Sequence, residues 1–250
     1  MKTRIEHNGK TWLCDLSNAY AISIPLRKGG KMRAFNAPDI KFEPVIAGDF
    51  IGSLKAGSPV NFYNISINPH GSATHTESCL HIHEEGLPLN QCLKESHHVA
   101  KLISVEPQTT EVGDRVVYLS CLNEMQRMLD DVSALIIRTL PNGEEKREQD
   151  YSGTNPCYID EGLAMWLSEK IDHLLIDLPS VDREQDGGLL KAHNAFWNTG
   201  GEMHLHKTIT ELIYVPDEIE DGMYLLDLQI LDIELDASPS RPLIFNLEEE

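Results

Sequence analysis

The stretch Asn68 to Glu84, NPHGSATHTESCLHIHE, decides how this chain is read, because ligand-type side chains crowd into it: His70, His75, Glu77, His81 and His83. Imidazole nitrogens and carboxylate oxygens are the usual donors to zinc, manganese and iron, and packing alone gives no reason to gather so many in one short segment. In extended backbone His75, Glu77, His81 and His83 share one parity, so their side chains project to the same side of a strand and converge on one cleft. Cys79 has the same parity and is expected to line that cleft rather than to bind metal.

Working outward, Asn61 to Asn68 (NFYNISIN) alternates in the manner of a half-buried strand that runs straight into the histidines. Toward the amino terminus, TWLCDLSNAYAISIP (Thr11 to Pro25) suggests two short strands broken by Asp15, Ser17 and Asn18. Lys28 to Pro38 reads as loop, and the Gly and Pro spacing from Ile40 to Pro59 leaves no room for a long helix. Toward the carboxyl terminus, Leu122, Met125 and Leu129 have helical spacing. ALIIRTLP then has the continuous apolar run of a buried strand. Asp160 is placed to cap a helix carrying the stripe Leu163, Trp166, Leu167 and Ile171, and HLLIDLP (His173 to Pro179) returns as a strand. Strand, helix, strand implies a parallel pair joined by a crossover. The polar run Asn142 to Asn155 between them is expected to be an exposed loop.

Two more ligand candidates lie further on. His193 sits in the apolar, partly helical GGLLKAHNAFW, and Glu211 lies inside the strand pattern TITELIYV. A carboxylate buried in such a strand costs several kcal/mol unless it is paired or ligated, so Glu211 calls for a cation. By contrast His7, His97, His98 and His173 are isolated and are expected to be ordinary surface or core histidines. His204 and His206, followed by Glu211, form a rival constellation that resembles the first metal motif of cupins. The glycine expected after it is absent, as is any later histidine.

Composition excludes several classes. A net charge of -19 over 250 residues repels phosphate backbones and anionic lipid, and no basic patch with interleaved aromatics occurs, so neither nucleic acid nor membrane is expected as a partner. The opening MKTRIEHNGKTWLC lacks the apolar core of a signal peptide, which points to a cytoplasmic location. Cys14, Cys79, Cys92, Cys121 and Cys157 are odd in number and free of CxxC spacing, as reduced thiols would be. No GxSxG, GxGxxG or Walker loop is present, which leaves serine nucleophiles and nucleotide cofactors without support.

At His70 to His81, HGSATHTESCLH, the chain resembles the metal-dependent cyclase-like hydrolases that include bacterial kynurenine formamidase and isatin hydrolase, whose signature reads roughly HxGTHxDxPxH. DLSNAYAISIP, LIIRT and IDLPSVD agree with the same family in order and spacing. The resemblance implies an α/β (mixed α+β) fold: one swivelling β/β/α cyclase-like domain over residues 1–250 with a central mixed sheet, assembled as a homodimer or larger. It also implies one or two divalent metals, Zn or Mn, with His70, His75 and Glu77 on the first, and with Glu77 bridging to a second completed by His193 and Glu211. His81 takes the place of the general acid/base. The implied reaction is cleavage of a C–N bond in a small amide or lactam, arylformamidase-like, with metal-bound hydroxide as nucleophile. Asp177, Ser180 and Asp182 would orient His193 or border the site, and Trp12, Phe62 and Trp197 are candidates for stacking on a planar substrate. This chain departs from the signature in the five-residue step from His70 to His75, in Glu77 for Asp and in Cys79 for Pro, and Asn198 to His206 looks inserted. The alternatives are a cupin-like oxygenase built on His204, His206 and Glu211, and a metal-binding scaffold without turnover.

Overall fold

The computed structural model describes residues 1–122, 129 and 131–250. The helical spacing of Leu122, Met125 and Leu129 runs through residues 123–128, outside the described residues. Among the described residues no helix is long and apolar enough to cross a membrane.

The centre of the molecule is a run of parallel strands, His97–Val105, Ala134–Thr139, His173–Ile176 and Thr208–Glu211, each hydrogen-bonded to the next. Ala134–Thr139 is buried at every position. Its alternation divides the interior: Leu135 and Ile137 pack into one apolar cluster with Leu163, Leu167, Phe196 and Trp197, whereas Ala134 and Ile136 pack into another with Ile22, Leu102, Leu226 and Ile244. A sheet covered on both faces needs apolar residues at both parities, which is why ALII is continuous rather than alternating. The crossover helix Glu161–Ser168 starts where Asp160 accepts a hydrogen bond from Gly162 N at 2.9 Å, and it buries Leu163, Ala164 and Leu167 against the sheet.

Antiparallel strands extend both margins. Gly222–Asp227, Leu243–Glu249, Lys10–Asp15 and Lys2–His7 follow on one side. On the other, His75–Glu77 pairs with Thr208–Glu211, and Ala237–Pro239 pairs with His75–Glu77. Among the described residues the result is one mixed sheet of 11 strands, with its ligand-bearing short strands at one margin. Asp15 breaks the first strand pair from Tyr20–Ala21 by accepting hydrogen bonds from the backbone N and hydroxyl of Ser17.

Two sequence expectations are corrected here. Tyr63–Ser66 is a strand, yet it pairs with Lys41–Pro44 in a separate ribbon and all four of its residues are exposed. Alternation marks a face that needs covering, and among the described residues nothing covers it: Phe62 is 57% and Ile65 66% exposed. The loop from Asn142 to Asn155 is only partly exposed, because Tyr151 is buried and Lys146 turns inward to Asp177 Oδ2 at 2.7 Å. A fully buried carboxylate at the end of a strand requires a cation, and the polar loop supplies it.

His98 and His173 are core histidines, with ring centroids 4.0 Å apart. His173 Nδ1 lies 2.8 Å from Thr208 Oγ1, and His98 Nε2 lies 3.0 Å from the Glu95 carbonyl. Burial, then the neighbouring His98, pushes His173 down to about 3. The unfolded chain takes up this proton near pH 6.5 and the folded chain does not, so the stability contributed is complete above about pH 6.5 and is lost as pH falls toward 3. Unfolding free energy should therefore drop by about 1.4 kcal/mol per pH unit for this one group across that window. Denaturant titrations at pH 7 and pH 5 should show a His173→Gln variant losing less stability than the parent. Equal losses would contradict the assignment.

Candidate metal centre

The site is assembled by local geometry in the quoted stretch. Asn68 caps the short helix Pro69–Ser72 by accepting a hydrogen bond from Gly71 N at 2.9 Å, with Pro69 in the first turn. Gly71 is required by close approach, since a Cβ there would meet the Ala34 carbonyl oxygen at 2.7 Å as well as Ala37. Thr74 then donates to the Leu212 carbonyl and accepts from Ile24 N at 2.7 Å, which fixes the entry into His75–Glu77. Two residues apart on that strand, His75 and Glu77 share a face, and the antiparallel register sets Glu211 directly opposite His75. A 3-10 turn over Cys79–His81 folds the chain back, so His81 reaches the same place by a turn rather than by strand parity.

The buried carboxylate of Glu77 is the hub. Its Oε1 is 2.9 Å from His193 Nε2; its Oε2 is 3.1 Å from His70 Nδ1 and 3.9 Å from the Nε2 atoms of both His75 and His81. Glu211 Oε2 lies 3.4 Å from His75 Nε2, and Glu211 Oε1 accepts from Val181 N at 2.9 Å and lies 3.9 Å from His193 Nε2. Among the described residues, these side chains form two groups able to hold a cation, His75 with Glu77 and Glu211, and His70 with Glu77 and His81. Glu77 belongs to both. Its one carboxylate faces all four imidazoles.

Whether a metal fits is decided at His75. Its Nδ1 lies 3.1 Å from the Ala73 carbonyl, which accepts only from an N–H, so Nδ1 is the donor to the backbone and Nε2 is the nitrogen left to face the site. That Nε2 is buried, has no hydrogen-bond partner, and faces carboxylate oxygens of Glu77 and Glu211. Two carboxylates and an unpartnered nitrogen gathered in a buried site are costly, and a divalent cation held among them satisfies all three. The donor set of imidazole and carboxylate suits zinc or manganese.

The charge balance agrees. Burial opposes ionisation of Glu77, but His193, through charge and hydrogen bond, and His70 outweigh it and hold the carboxyl well below its usual range. Burial likewise opposes protonation of His193, which Glu77 and Asp182 nevertheless raise to about 10. His70 is raised to about 10 in the same way, by Asp236 and Glu77 against burial. Protons on His70 and His193 balance the carboxylates when no metal is bound, and metal binding would displace them.

His193 is held by Asp182, whose Oδ2 is 2.6 Å from His193 Nδ1 and whose carboxylate also accepts from Ala192 N and His193 N. Ser180 accepts from Asp182 N at 3.1 Å. Asp177 does not reach His193; it accepts from Lys146 and from Thr139 N. Trp197 is buried and stacks behind His193 at 5.4 Å, with its indole N–H donated to the Lys207 carbonyl, and Trp12 is buried in the core, so neither offers a face to a substrate. Cys79 is buried in the apolar core, and burial raises its thiol, so it is no thiolate donor. His83 accepts from Glu85 N and belongs to neither metal group. His204 lies against the Phe196 carbonyl and His206 against Asp172, apart from Glu211's partners.

Sequence reasoning missed Asp236. Its Oδ2 lies 2.8 Å from His70 Nε2 and 3.2 Å from His81 Nδ1. In the sequence it is one acidic residue among several in DIELDASPS, and only the pairing of Ala237 with Glu77 carries it to the site.

Above the cluster opens a cleft of about 380 Å³ floored by His70, His81, His193 and Glu211 and rimmed by Phe35, Arg183 and Leu190. Phe35, Leu190 and Leu212 hold left-handed backbone, φ 55°, 46° and 55°, a cost borne by non-glycine residues beside the site.

Residues 14–183, most of this framework, match the Cyclase family model. The chain belongs to the Cyclase family. Its fold is shared with a potential metal-dependent hydrolase with cyclase activity, at 19% identity and a TM-score of 0.64 over 92% of this chain and 98% of that one. A predicted metal-dependent hydrolase from Bacillus stearothermophilus matches at 21% identity and a TM-score of 0.60, over 91% of this chain and 98% of the other. Isatin hydrolase A from Labrenzia aggregata matches at 13% identity and a TM-score of 0.67, over 92% and 94% of the two chains. At such identities the likeness establishes the fold of this Cyclase-family chain.

Proposed function

We propose that this Cyclase-family protein is a metal-dependent hydrolase that cleaves the C–N bond of a small amide or lactam, arylformamidase-like in class. The observation that carries the reading is the buried, unpartnered Nε2 of His75 between Glu77 and Glu211. His70, His75, Glu77, His193 and Glu211 would hold one or two divalent ions, zinc or manganese. A cation held there supplies water of lowered pKa and polarises a substrate carbonyl. Asp182 holds His193 in one orientation, with Nε2 turned to Glu77. His81, 30% exposed at its side chain, stands where it can deliver a proton to a departing nitrogen, which is a poor leaving group without one. The narrow cleft suits a small molecule, and the similarity to isatin hydrolase favours a lactam or anilide among amides.

The cupin-like alternative loses its support, because Glu211 is partnered by His75 and Val181 instead of His204 and His206. A homodimer or larger assembly is favoured by the exposed apolar side chains Ile46, Ile51, Leu54, Phe62 and Ile65, which lie together in one segment of chain. The test is elemental analysis of the purified protein, with hydrolysis of a panel of N-formyl anilides, lactams and cyclic imides, and sedimentation for the assembly. We expect divalent metal and turnover of at least one member. A protein that neither carries nor takes up zinc or manganese would sink the reading, and metal without turnover across the panel would favour the idle scaffold.

A further inference from the structure

The pair of histidines at the cleft, His70 and His81, is held by something the metal groups do not explain. Their rings stack with centroids 4.1 Å apart and planes inclined by 29°. In that arrangement the nitrogens facing away from Glu77, His70 Nε2 and His81 Nδ1, both meet one atom, Asp236 Oδ2. A carboxylate oxygen only accepts, so each of those nitrogens must carry a proton when the ring donates to it. The backbone behind the carboxylate is fixed as well, since Ser78 N donates to the Asp236 carbonyl at 2.9 Å and Ala237 pairs with Glu77 in the sheet.

We propose that Asp236 is a positioning residue that sets the orientation of His70 and His81 together, keeping His70 Nε2 and His81 Nδ1 as its donors and leaving His70 Nδ1 and His81 Nε2 as the atoms turned toward Glu77 and open to a metal or a substrate proton. The proposal rests on the metal-hydrolase reading for its purpose, though the geometry is independent of it. Both roles given to these rings require the same outcome. A ligand imidazole needs its inner nitrogen bare, and a proton-shuttling His81 needs Nε2 free to take a proton and pass it on. One oxygen serving two rings differs from the usual single carboxylate behind a single histidine, and it ties the two rings so that neither can flip alone. An exposed ion pair would be worth little, but Asp236 is only 31% exposed at its side chain and receives two charge-assisted bonds.

The test reads the rings directly. In metal-free protein labelled with 15N at histidine, long-range proton–nitrogen spectra should show protected, downfield N–H protons on His70 Nε2 and His81 Nδ1. Asp236→Ala should remove both while leaving the His193 signal, which depends on Asp182, in place. Competition against a zinc chelator should show the same variant weakened roughly 10- to 100-fold, the usual effect of losing a carboxylate behind a metal-binding histidine. If Ala does not fold, Asp236→Ser, too short to reach either ring, is read by the same two measurements. Ring protons that persist in the variant, or zinc affinity equal to the parent's, would overturn the proposal. Failure of the hydrolase reading looks different: the parent itself would take up no zinc, and the ring protons would still decide the role of Asp236.

Discussion

Glu77→Gln should empty both metal groups at once and reduce hydrolysis to background, whereas His75→Ala should affect one group alone. The difference follows from position: Glu77 is the one residue common to both groups, facing His193 through Oε1 and the remaining imidazoles through Oε2. Gln keeps the size and can still accept through its amide oxygen, yet it loses the charge, and its NH₂ would oppose the N–H groups of the facing imidazoles and offer no lone pair to a metal. The loss of charge matters more here than at a surface because Glu77 is fully buried, so the neighbouring imidazoles have no solvent to replace it. Metal per chain after dialysis against a trace of zinc reads this result. A Gln variant that retains the parent's metal content would remove Glu77 from the centre of the site, and a His75→Ala variant that loses all metal would show that the two groups do not fill independently.

Much of this arrangement was legible in the sequence, for reasons that can be located. The central strands were readable because burial on both faces leaves continuous apolar runs, ALII and HLLI, and the crossover helix because Asp160 precedes a stripe at helical spacing. His75 and Glu77 were placed together by strand parity, and Glu211 drew attention because a carboxylate within TITELIYV has no cheap burial. What failed depended on information that local pattern does not carry. His81 arrives through a 3-10 turn and His83 turns away, although parity treats them alike. From sequence Trp197 is only a candidate for stacking on substrate, because an aromatic beside a ligand histidine supports the ring from behind, as it does here, as readily as it faces the cleft. Asp177 and Asp182 look equivalent in IDLPSVD, and only tertiary packing gives one to Lys146 and the other to His193. Asp236 reaches His70 from 166 residues away, by an antiparallel pairing of a three-residue strand that no periodicity announces.

His81→Ala should keep its metal and lose about 10²- to 10⁴-fold in kcat, the range that a positioned proton donor typically contributes. The argument for this role over that of ligand is its place in the cluster. His75, Glu77, Glu211 and His193 are buried, whereas His81 is partly exposed on the cleft floor, where a substrate nitrogen can approach it. Its Nε2 stands 3.9 Å from Glu77 Oε2, as does the buried Nε2 of His75, so it is exposure and not distance that sets His81 apart. Loss of metal from the Ala variant would make His81 a ligand instead, and a rate matching the parent's with metal retained would leave it without either role. The leaving group separates these outcomes further. A proton delivered to nitrogen matters most when that nitrogen is basic, so the variant should be slowed more on alkyl amides than on anilides bearing electron-withdrawing groups, whose departing nitrogen needs less help. A uniform loss across such a series would point to disturbed substrate positioning rather than to a missing acid.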